Sequence, residues 1–163
     1  MRKLIAIFFL LCVICFPTPT FSQNNFQDII KQFGNIEKQL NNLSQDLLQI
    51  NKTTYNQTEI YSLSSITNSI STSEDIIGHA MDLSFLYPSI KDDSKSELYQ
   101  FFLFRFSTLK KQIEVEIESL QIACAGIKSK VALNLIDRAK DQMRASLIIF
   151  DRCIKILNIN KKT

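Results

Sequence analysis

The sequence predicts an all-α protein: an up-and-down four-helix bundle of long amphipathic helices, preceded by a cleaved N-terminal signal peptide. Three observations lead there. Apolar residues recur at alternating spacings of four and three over long stretches. Only 3 Gly and 3 Pro interrupt a chain of 163 residues. Short polar connectors divide the periodic region into four stretches of about 28 residues, the pattern of antiparallel neighbours in a bundle.

The leader comes first. Arg2 and Lys3 precede a continuous apolar run from Leu4 to Phe16, Pro17 and Pro19 end it, and Thr20-Phe21-Ser22 offers small residues to a signal peptidase. A membrane anchor is the competing reading, but about 13 apolar residues reach only about 20 Å as a helix. A lipoprotein signal needs a small residue before the modified cysteine, and Cys12 follows Leu11 while Cys15 follows Ile14. The expectation is cleavage after Ser22, one domain over residues 23–163, and a secreted protein of the periplasm or extracellular space. No membrane span is expected after cleavage.

The first helix is expected over residues 24–51. Phe26, Phe33, Leu40 and Leu47 hold one heptad position, and Ile29, Ile36, Leu43 and Ile50 the other, with Gln32, Asn35, Gln39, Asn42 and Gln49 opposite. That is a knobs-into-holes seam, in the manner of a coiled coil. Residues 51–57 read as a polar connector with two glycosylation sequons, at Asn51 and Asn56; a third begins at Asn42.

The second helix is expected to start near Thr58 with Leu63, Ile66, Ile70, Ile77 and Met81 inward. Its serine- and threonine-rich middle competes for backbone hydrogen bonds, and Ser71 with Glu74 resembles a fresh N-terminal cap, so a bend or break is expected near 70–74. Pro88 should end the helix before it.

Asp92, Asp93 and Ser94 are suitable caps for a third helix, with Glu97 favoured by the helix dipole in its first turn. The stretch Leu98–Ile127 then carries a main apolar face of Leu98, Phe102, Phe106, Leu109, Ile113, Ile117, Leu120, Cys124 and Ile127. Residues 112–118 alternate like a strand, but an isolated strand inside a helical pattern has no partner, so helix is expected. Lys110 and Glu114 are spaced to pair. Gly126 and Ser129 mark a stop and restart. The last helix would bury Ala132, Ile136, Ala139, Met143, Leu147, Phe150, Ile154 and Leu157, with residues 158–163 fraying.

Cys124 and Cys153 survive cleavage of the leader. An oxidising compartment favours a disulfide between them. A turn at residue 129 opposes it, because Cys153 then lies roughly 30 Å from Cys124 and a disulfide needs alpha carbons within about 7 Å. The two are reconciled if the chain reverses near residue 138 instead, with Asp137 as cap. The alternatives are free thiols or a bridge between chains. The compartment argument is preferred, and Cys124–Cys153 is the expected disulfide.

Functional motifs are absent. Without the leader the chain carries 17 basic and 16 acidic residues, too balanced to indicate nucleic acid. Residues 23–87 nevertheless hold 3 basic against 7 acidic side chains, and residues 88–163 hold 14 against 9. His79 is the only histidine. Asp75, His79 and Asp82 share a helix face, but one imidazole cannot supply the Glu-x-x-His pair of a di-metal bundle or an ordinary zinc site. No catalytic, cofactor-binding or metal-ligating residue is assigned, and no enzyme activity is expected.

The remaining feature is a second apolar strip. Phe104, Val115 and Ile122 lie nearly opposite the main face of the third helix, where a helix with one buried face should be polar. Either an irregular bundle buries both faces, or the strip is exposed for a protein partner or self-association. The expected function is protein–protein binding by a small exported bundle, in an inhibitor, immunity-type or adaptor role. The alternative is a secreted four-helix signalling or effector protein. A metal-binding or enzymatic helical protein is the distant option.

Overall fold

The first seam folds as its spacing requires. In a computed structural model, which describes residues 21–90 and 92–160, Phe26, Ile29, Phe33, Ile36, Leu40, Leu43 and Leu47 are all buried on helix α1, Phe21–Thr53. Ile50 packs half-buried at its end. Three more long helices follow: α2 (Gln57–Ser89), α3 (Asp92–Ala123) and α4 (Lys130–Asn160). Each has 31 to 33 residues, roughly 48 Å of helix. The chain is an all-α bundle, and no strand occurs among the described residues. The expected leader lies outside them, apart from Phe21 and Ser22, which open α1.

Packing follows chain order. α1 packs on α2, α2 on α3, α3 on α4, and α4 closes back on α1; α2 and α4 touch little. Register is set by paired contacts. Asn51 of α1 donates to Ser64 of α2 at 3.0 Å, and Asn41 donates to Glu74 at 3.2 Å, so the two helices run antiparallel. Lys110 pairs with Asp151 at 2.7 Å across α3 and α4, in place of the expected Lys110–Glu114 pair. Arg152 reaches Asp28 at 2.9 Å across α4 and α1, joining the basic and acidic halves of the chain.

The two ends differ in chemistry. At the α2–α3 end, Phe26, Tyr87 and Phe102 interlock, with centroids 5.5 and 5.0 Å apart. Phe33, Phe150 and Phe106 form the next layer, at 5.0 and 6.5 Å. Tilted and edge-on rings at these separations are the preferred aromatic geometries. The opposite end is held by polar contacts around the start of α2.

Several sequence expectations are corrected. α2 is continuous through 70–74, because Thr67 and Ser73 bond back to the carbonyls of Leu63 and Ser69 (2.8 Å each), so buried hydroxyls are satisfied without breaking the helix. Pro88 sits inside the last turn of α2, which ends at Ser89; so near the end its missing N–H costs a single backbone bond. α3 buries Tyr99 where Leu98 was expected, leaving Leu98 exposed. α4 buries Ser146, Ile149 and Cys153, while Leu147 and Ile154 are half-buried at the edge of its stripe. Residues 158–160 of the expected fraying tail belong to α4, where Asn158 accepts a 2.6 Å bond from the Tyr99 hydroxyl; residues 161–163 lie outside the described residues.

The largest correction concerns the cysteines. A short 3-10 turn, Cys124–Gly126, follows α3, and α4 begins at Lys130, with the Ser129 hydroxyl accepting the Ala132 N–H at 3.3 Å. The chain therefore reverses near 129, and Asp137 lies inside α4 rather than at a turn. Cys153 is then roughly 35 Å along α4 from that reversal, far beyond disulfide reach. Both thiols are free, Cys153 wholly buried and Cys124 half-buried, so the expected bridge is not made.

Candidate functional site: the outer face of α3

α3 is apolar on two opposite sides. Its inner side, including Phe102, Phe106, Leu109, Ile113 and Leu120, is buried in the core. Residues three, four and seven apart share a helix face, so a second line at the same period points the other way. That line is exposed: Phe104 by 66%, Val115 by 51% and Ile122 by 78%. Of the two readings open from sequence, burial of both faces does not hold. Phe101, half-exposed, extends the strip toward the start of α3. The corresponding outer face of α1 is polar, as with Gln27, Lys31, Asn35, Lys38 and Asn42, all exposed.

The strip lies on the outer side of a helix whose inner side is packed in the core. Its inward neighbours are core residues, and Lys110 is tied to α4 through Asp151. A shallow depression of about 270 Å³ lies at its middle, lined by Lys111, Gln112, Val115 and Glu116. Half-buried Thr108 donates its hydroxyl back to the Phe104 carbonyl at 2.9 Å. An apolar line rimmed by charged and amide side chains has the composition of an interaction surface.

The other candidate residues do not converge. Asp75, His79 and Asp82 are all exposed on the outer face of α2. Among the described residues no group of three or more His, Cys, Asp or Glu side chains is placed to hold a metal ion. Of the sequons, the Asn51 amide nitrogen is occupied by its bond to Ser64, whereas Asn56 is exposed and caps α2 by accepting the Glu59 N–H at 3.1 Å. No described helix is long and apolar enough to cross a membrane.

Two carboxylates stand out: Glu59, which the sequence does not single out, and Glu74, which it suggests only as a capping partner of Ser71. Glu59 is buried, and one oxygen, Oε1, accepts the backbone N–H groups of Lys128 (3.1 Å) and Ser129 (2.9 Å), fastening the α3–α4 turn to the start of α2. Gly126 belongs to the same junction: a Cβ there would collide with the Ser62 hydroxyl and stand 3.2 Å from its Cβ. Glu74 is half-buried between α1 and α2, and its Oε1 has no partner. Burial pushes its carboxyl above the usual range, partly offset by the Asn41 bond, with Asp75 and Glu37 adding to the rise.

Comparison of the chain with protein-family models, with curated proteins and with solved structures finds no match.

Proposed function

We propose that this chain is an exported helical-bundle protein that acts by binding another protein through the outer face of α3, without catalysis. The observation that carries the reading is the exposed line of Phe104, Val115 and Ile122 on a helix whose opposite side is already committed to the core. A helix that needed only to fold would leave that line polar, as α1 does. Export rests on the layout of residues 1–22, with a basic start, an apolar run and small residues at its end. An inhibitor, immunity-type or adaptor role fits a surface of this kind, since each works by occlusion or bridging. The secreted signalling alternative draws on the exposed sequon at Asn56.

Affinity capture from the compartment of origin tests the reading, with the natural chain and Phe104→Glu as paired baits. A partner held by the natural chain and lost with Phe104→Glu supports it. Equal capture by both baits contradicts it.

A further inference from the structure

The occupant of the α3 face can be named from the pattern of the strip itself. Phe101, Thr108, Val115 and Ile122 are spaced seven apart, and Phe104, Lys111 and Glu118 fill the positions between them, three and four residues on. Apart from half-buried Thr108, every one of these residues is exposed. The outer face of α3 thus carries a second line at heptad spacing, apolar at Phe101, Phe104, Val115 and Ile122 and polar at Thr108, Lys111 and Glu118, opposite the one buried in the bundle. It has the geometry to receive another helix bearing the same repeat, and α3 itself bears it.

We infer that two copies of this chain pair through their α3 helices in antiparallel orientation. The inference rests on the proposed binding role of this face and specifies its partner. Charge decides the orientation. A parallel pair would set Lys111 against Lys111 and Glu118 against Glu118 in the seam, two like-charge layers. An antiparallel pair about an axis at residue 113 places Ile122 on Phe104 and Phe101 over Ala125, the exposed small residue of the 3-10 turn. It brings Lys111 to the level of Val115 and beside Glu114 of the second copy. Glu118 falls level with Thr108, between Arg105 and Lys111 of the second copy. The depression around Val115 lies at this axis, where the aliphatic stem of the second copy's Lys111 would fill it. Glu114 approaches its own counterpart across the axis, and the two Lys111 ammonium groups flank that approach.

The seam from Phe101 to Ala125 is roughly 36 Å long and about 10 Å wide. It covers on the order of 400 Å² on each copy, about half of what a stable interface uses, so the dimer is weak and concentration-dependent. Cysteine cross-linking tests both association and orientation. In a Cys124→Ser background, Gln112→Cys lies near the axis and should cross-link with itself under a short bismaleimide. Phe104→Cys and Ile122→Cys should each fail alone, because the two copies of either position lie roughly 27 Å apart along the seam. Mixed together, they should cross-link to one another.

Self-linking of Ile122→Cys would overturn the antiparallel arrangement. A single monomeric species in sedimentation at the highest attainable concentration would overturn the pairing altogether. In that event, loss of a heterologous partner with Phe104→Glu would leave the binding-face reading standing; undiminished capture would remove both. Unfolding midpoints of each variant, matched to the parent, show that any loss comes from the surface and not from the fold.

Discussion

Replacing Glu59 by alanine should loosen the α3–α4 turn and destabilise the whole bundle. Glu59 Oε1 accepts two backbone N–H groups, those of Lys128 and Ser129, and the side chain is only 8% exposed. Hydrogen bonds to a charged acceptor contribute about 1.5–3 kcal/mol each, less where water can replace the partner. Lys128 is exposed and Ser129 half-buried, so water recovers part of the loss at the first and little at the second. The expected cost is about 2–4 kcal/mol for Glu59→Ala. Glu59→Gln keeps an oxygen in the accepting position and loses only the charge, so it should cost about 1 kcal/mol. Urea unfolding followed by circular dichroism gives both numbers, with an unchanged slope against urea confirming that the native state is otherwise intact. Amide exchange adds the local test: the Lys128 and Ser129 amides should lose protection in Glu59→Ala. An alanine variant within about 0.5 kcal/mol of the parent would refute the tether. A glutamine variant as unstable as alanine would refute the acceptor geometry and leave only the charge.

Other expectations follow from the same structure. Gly126→Ala should cost about 1–2 kcal/mol in urea unfolding, because its methyl group meets Ser62, and Ser62→Ala in the same chain should recover at least half of it. Thiol labelling of the chain beginning at Gln23 should find one reactive cysteine in the native state and two in denaturant. Burial pushes the Cys153 thiol up to about 12, against lesser lowering by Ser84 and Arg152. Two thiols missing before reduction would restore the disulfide. Glu74 has a raised pKa in the folded state, so its protonated form favours folding, and that contribution is present in acid and lost as pH rises through the folded value. Glu74→Gln should therefore stabilise at neutral pH relative to the parent, with the advantage vanishing below the ordinary carboxylate range. A constant difference across pH would contradict the assignment.

Much of the bundle was legible because its cause is local. The α1 seam from Phe26 to Ile50 alternates four and three without interruption, and burial follows it from Phe26 to Leu47, with Ile50 half-buried at the end. Gly126 and Ser129 marked the final turn correctly, and a compartment argument about Cys124 and Cys153 displaced it; the backbone, not the redox argument, fixes that reversal. α2 misled for a different reason. Serine and threonine weaken a helix where water competes for its backbone, but Thr67, Ser73 and Ser84 are buried with their hydroxyls bonded four residues back, and packing overrides propensity there. Glu59 was not legible at all. Three residues after Asn56 it reads as half of a local capping box, yet its oxygen goes to a turn 69 and 70 residues away. The strip on α3 stood between these cases. Its period was plain in Phe104, Val115 and Ile122, while its exposure depends on how four helices share the core, which no single segment encodes.

The most direct measurement of the central claim, that the outer face of α3 is a binding surface and not part of the core, is paired sedimentation and urea unfolding of Phe104→Glu against the natural chain. Phe104 is 66% exposed, so an unfolding midpoint within about 0.5 kcal/mol of the parent is predicted. The concentration-dependent association of the natural chain should be lost at the same time. A loss of several kcal/mol in stability would place Phe104 in the core and contradict the account. So would association that survives the new charge unchanged.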